Sequence, residues 1–149
     1  MKRVVGFKKL EAIFKKSADL DLDKSKADQI LDIVEKKFQD MLQVGAERCH
    51  KNERYIITEF DLPITKGFQD SIRKFQTLKE EIELKGVLEF IEKIPPLRHP
   101  VSPKLEPKLP DYIGALILIL AQVLKEVGAD KRPSTADIQR AKRILDLTL

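Results

Sequence analysis

Along most of this 149-residue chain, apolar positions recur at steps of three and four and seldom alternate one by one. That spacing marks one side of a helix, not one face of a strand. Val and Ile follow the same helical spacing, and no hairpin dipeptide such as Asn-Gly interrupts them. The pattern predicts an all-α fold, with residues 1–149 forming a single domain.

The first helix is expected over Phe7–Ala18, with Leu10, Ile13 and Phe14 on its apolar side. The Asp-rich run from Ala18 to Asp23 ends it, because Asp competes for backbone hydrogen bonds and favours turns. The second helix is the clearest. Ser25 and Asp28 stand at capping-box spacing before it. Ala27, Ile30, Leu31, Val34, Phe38, Met41, Leu42, Gly45 and Cys49 then form one stripe of about seven turns. So long a helix needs partners along its whole length.

After it, Asn52–Ile57 reads as a short extended patch. Thr58 and Asp61 can cap a following turn, and Pro63 fits a first helical turn. A long helical pattern continues through Ile64, Phe68, Ile72, Phe75, Leu78, Ile82, Phe90, Ile91 and Ile94, with Gly86 as a place to bend. Pro95 and Pro96 stop it. Six prolines between Pro95 and Pro110 then predict an extended connector over 95–110. A helix from Asp111 to Val127 follows, apolar almost all round and so expected to be buried all round. The connector and first half, or a second copy of the chain, must cover it. Gly128 suits a left-handed C-terminal cap. Ser134 and Asp137 form a capping box for a last helix with Ile138, Ala141, Ile144 and Leu145 as its stripe.

The two halves repeat one order: a long helix, a loop with Arg, and a Thr-x-x-Asp or Ser-x-x-Asp turn opening a further helix. Arg54…Thr58…Asp61-Leu62 resembles the second loop of the histone fold, where Arg pairs with an Asp seven residues on. The chain is similar to a bacterial family of single-chain double histone-fold proteins. The resemblance implies a first motif over 7–76 and a divergent second motif over 77–149, clasped as a pseudo-dimer. It implies that Arg54 and Asp61 clamp loop to helix. It also implies a homodimer, since histone-fold pairs join through helices near their dimer ends. Ile56 stands where DNA-gripping histones place Thr, and Asp130 stands seven residues before Asp137.

Composition adds few constraints. Apolar residues are 42% and charged residues 35% of the chain, which excludes disorder by composition. One cysteine leaves no disulfide framework and fits a reducing cytoplasm. The longest nearly pure apolar run, Ile113–Leu124, is 12 residues, shorter than a membrane span, so no membrane partner is expected. Many Lys and Glu with little Cys and Met give a heat-adapted cast.

The net charge of +4 permits a polyanion partner. Lys2, Arg3, Lys8, Lys9, Lys15 and Lys16 face only Glu11 in the first sixteen residues, and free amides at a helix start add to such cations. Near the C-terminus, Lys125, Lys131, Arg132, Arg140, Lys142 and Arg143 face Glu126, Asp130 and Asp137. Arg132, in a loop, is the best single phosphate contact there. Adjacent Cys49 and His50 point about 100° apart on a helix, so they do not make a metal site. No nucleophile–base set or Gly-rich phosphate loop is evident. The expectation is therefore no enzyme, no cofactor and no small-molecule substrate. Two functions remain: a nucleoid-associated protein that binds double-stranded DNA without sequence preference, in the cytoplasm, or a histone-fold interaction module that binds no DNA.

Overall fold

A computed structural model describes residues 6–82 and 100–149. Its helices are α1 (Phe7–Ala18), α2 (Lys24–Lys51), α3 (Lys66–Ile82), α4 (Leu109–Glu126) and α5 (Thr135–Thr148). Among the described residues the only extended pairing is an isolated parallel bridge between Ile57 and Val101. The all-α expectation holds. The expected bend at Gly86, the apolar positions Phe90, Ile91 and Ile94, and the stop at Pro95-Pro96 lie outside the described residues.

Several boundaries move for local reasons. Asp23, not Ser25, caps α2, its carboxylate accepting from the Lys26 amide at 2.8 Å. Thr58 and Asp61 do form a reciprocal capping box, but on a single 3-10 turn, Glu59–Asp61. Pro63 falls between that turn and α3, and Thr65 caps α3 instead, its hydroxyl accepting from the Phe68 amide at 3.2 Å. The proline connector gives way at Glu106–Lys108 to a 3-10 turn, and α4 begins at Leu109 with Pro110 inside its first turn. A proline costs nothing there, because first-turn amides have no helical partner. Gly128, at φ 78°, ends α4 as expected, and the Ala129 amide reaches back to the Leu124 carbonyl.

The nine stripe residues of α2 are all buried. Ile33 and Lys37 are buried as well, because α5 packs on a second face of the same helix. At the centre lies α4, packed by α1, α2, α3 and α5. Segment 106–126 is long and apolar enough to cross a membrane by length and composition, yet 67% of its apolar window is buried in the protein. Leu116, Ile117, Leu120, Ala121 and Leu124 are essentially inaccessible. Between Tyr112 and Leu124 only Ile119 and Val123, half-buried, and exposed Gln122 face outward, and Gln122 bonds the Ser17 carbonyl of α1. The chain's own helices therefore cover α4, which removes the need for a second copy to do so.

Two loop contacts tie the ends of this assembly. The Asp21 amide, between α1 and α2, donates to the Lys131 carbonyl between α4 and α5 at 2.7 Å. Between α2 and α3, the Ile57 amide donates to the Pro100 carbonyl at 2.9 Å, and the Ser102 amide donates to Ile57 at 2.8 Å.

Candidate nucleic-acid interface

The run Asp19-Leu20-Asp21-Leu22-Asp23 alternates, and packing assigns each position a side. Leu20 and Leu22 are buried. Asp19 and Asp21 therefore face out, while Asp23 is committed to capping α2. Asp19 sits in the left-handed region at φ 52°, a conformation Asp and Asn tolerate better than most residues.

The Asp21–Lys131 backbone bond sets this turn against Lys131 and Arg132, both exposed. Lys15 Nζ lies 3.0 Å from Asp19 and 3.5 Å from Asp21. The hydrogen bond from Lys15 is the main reason the Asp19 carboxyl is held below its usual range, and the charges of Lys15, Lys131 and Lys125 add to it. The same bond is the main reason the Lys15 ammonium is shifted upward. Three cations from three segments (Lys15, Lys125 and Lys131) thus act on the Asp19 carboxylate, and Arg132 follows Lys131 in the same exposed loop, with Glu126 and Asp130 flanking Lys125 and Lys131.

Lys8 lies two helical turns before Lys15 and so on the same face of α1. Its helix start has no side-chain cap and no acidic residue in the first turn. Lys9 and Lys16 share the neighbouring face, and Lys16 lies 3.7 Å from Glu81 near the end of α3. The fold thus brings Lys15 to the loop that carries Lys131 and Arg132, and pairs Lys16 with Glu81 instead. Lys2 and Arg3 lie outside the described residues. The sequence sets Lys125 and Lys131 in a basic group near the C-terminus but does not join them to Lys15. Their recruitment depends on a contact between residues 110 positions apart, which no local pattern signals.

At the other loop pair, Arg54 grips Asp61 through both guanidinium nitrogens, Nη1 to Oδ2 at 2.9 Å and Nη2 to Oδ1. Asp61 also accepts from the Thr58 amide at 2.8 Å and its hydroxyl at 3.1 Å. Arg54, foremost, and Thr58 hold this buried carboxyl far below the usual carboxylate range. The expected clamp is present. Three apolar side chains are exposed beside it, Tyr55, Ile56 and Phe60, the last at 86%. Cys49 is buried, 3.3 Å from the Ile56 carbonyl, and His50 is exposed. Among the described residues no cluster of His, Cys, Asp and Glu is placed to hold a metal ion.

Known proteins resemble the chain over nearly its whole length. A crystal structure from Thermus thermophilus superposes with a TM-score of 0.85 at 35% identity, covering 98% of this chain and 99% of the other. A 1.9 Å crystal structure of an Aquifex aeolicus protein superposes with a TM-score of 0.82 at 29% identity, covering 100% and 99%. An uncharacterized protein of Aquifex aeolicus (strain VF5) is 30% identical over 146 residues, covering 98% of this chain and 85% of the relative. The family described as a domain of unknown function (DUF1931) matches residues 10–146, and the chain belongs to that family.

Proposed function

We propose that the chain is two fused histone-fold motifs that bind double-stranded DNA through its phosphates, without sequence preference. The observation that carries the reading is the Asp21–Lys131 bond, which places Lys15, Lys125, Lys131 and Arg132 at one end of the molecule. Phosphate contacts of this kind position a protein on nucleic acid and carry no base information. The two loop pairs, each joining the first half of the chain to the second, support the pseudo-dimer reading. So does the repeated capping box at Thr58/Asp61 and Ser134/Asp137. A cytoplasmic location at the nucleoid follows from the same reading. A gel shift on random duplex across a salt series tests it: shifted complexes at low salt that dissolve as salt rises are expected. No shift at any salt rejects DNA binding.

One observation favours the second reading, an interaction module without DNA binding. Exposed Tyr55, Ile56 and Phe60 cluster on one loop and turn, and exposed apolar patches of this kind mark contact surfaces. Pull-down with the Phe60→Ser variant beside the parent chain separates the two readings, because this change leaves the basic end intact.

A further inference from the structure

We infer that Asp19 and Asp21 occupy the basic end as an internal anion, which a phosphate backbone must displace in order to bind. The inference rests on the DNA reading and concerns the regulation of that same site.

Packing and capping single out these two carboxylates. Leu20 and Leu22 are buried, which turns Asp19 and Asp21 outward, and Asp23 is used by the helix start. The hydrogen bonds and ion pairs of the Asp19 and Asp21 carboxylates are with Lys15, at 3.0 and 3.5 Å. Neither carboxylate caps a helix or bonds a backbone amide within the described residues. They therefore do for Lys15 what two phosphate oxygens would do. All three side chains are largely exposed, at 50% for Lys15, 72% for Asp19 and 41% for Asp21. Exposed pairs of this type are weak and exchange readily with another anion.

The consequence is quantitative. DNA binding gains from releasing counterions condensed on the duplex, one for roughly each phosphate neutralised. A lysine already neutralised by its own loop contributes less, and the loop's two negative charges repel the incoming backbone. The parent protein should bind weakly, and its salt dependence should be shallower than its count of exposed cations suggests.

The test uses fluorescence anisotropy with a labelled random 30-base-pair duplex and the double variant Asp19→Asn, Asp21→Asn. Asn tolerates the left-handed backbone at position 19, so the fold should survive, and a melting curve checks this. Affinity at low salt is expected to rise about tenfold, and the log–log salt slope to steepen by about 1 to 2. A control variant, Glu47→Gln with Glu106→Gln, makes the same net charge change at exposed positions outside the basic end and should gain far less. Adding Lys15→Gln to the double variant should remove most of the gain. If the parent binds and the double variant binds no better than the control, the internal anion is refuted while the DNA reading survives. If the variant alone binds, both stand. If neither binds at any salt, both fall.

Discussion

The Phe75 ring of α3 lies directly on Gly114 of α4, so close that a Cβ on residue 114 would sit among the ring carbons. Gly114 is therefore required by the contact, not by its backbone angles. Gly114→Ala should raise intrinsic helix propensity and still destabilise the protein, by about 2–3 kcal/mol, because overpacking a filled core costs more than propensity returns. Phe75→Leu in the same chain should recover part of the loss. Urea denaturation of both single variants and the double variant measures the coupling, and additive losses would contradict the contact.

Asp61 should matter more than Arg54. The carboxylate is buried and also holds Thr58, while Arg54 is 42% exposed in its side chain. Asp61→Ala is expected to cost about 2 kcal/mol, since it strips bonds from a charged acceptor and removes a cap. Arg54→Ala should cost distinctly less. Equal losses would mean that the ion pair, not the cap, governs this turn.

The depressed Asp61 carboxyl also makes a pH prediction. Its folded pKa lies below the unfolded value of about 3.9, so its stabilisation is complete above that value and fades as pH falls through it. The stability gap between the parent chain and Asp61→Ala should be constant from about pH 7 to about pH 5 and shrink towards about pH 2. Urea midpoints at four pH values show this, and a gap that widened in acid would reverse the assigned shift.

Much of the fold could be read from the sequence because its cues are local. The stripe from Ala27 to Cys49, the Gly128 cap and the Ser134/Asp137 box all lie within a few residues of what they specify, and each sits where expected. Burial of Lys37 could not be read, because it depends on Asp146 arriving from α5 to pair with it at 2.5 Å. The α3 start at Lys66 was hidden because Thr58 and Thr65 are both valid caps, and Pro63 between them permits either. At the candidate site, Lys15 and Arg132 were visible as cations. That the Arg132 loop comes to the end of α1, where Asp19 and Asp21 pair with Lys15, depends on the folded contact between distant loops.

The halves should fold only together. α4 belongs to the second half yet packs on α1, α2 and α3. One coincident transition by heat and by denaturant is expected for the whole chain. Fragments cut near Leu78 should each be unfolded and should regain helix when mixed. A first half that is folded alone would argue for independent domains.

The cover of α4 bears on self-association. Any homodimer has to use another surface, and among the described residues Tyr55, Ile56 and Phe60 form the larger group of exposed apolar side chains, beside the pair Leu147 and Leu149 at the end of α5. Phe60→Ser should abolish concentration-dependent association seen by sedimentation equilibrium. A mass of 17.1 kDa for the parent chain throughout ends the homodimer reading.

The central claim is that the basic end of the molecule binds a phosphate backbone. The direct measurement is the affinity for random duplex against salt, for the parent chain and for a variant with Lys8, Lys15, Lys131 and Arg132 changed to Gln. With about five phosphates engaged, the parent chain should give a log–log slope of up to about −4 to −5, shallower if Asp19 and Asp21 already screen Lys15. The variant should flatten that slope by about 3. Equal slopes for the two proteins, or affinity that ignores salt, would contradict it.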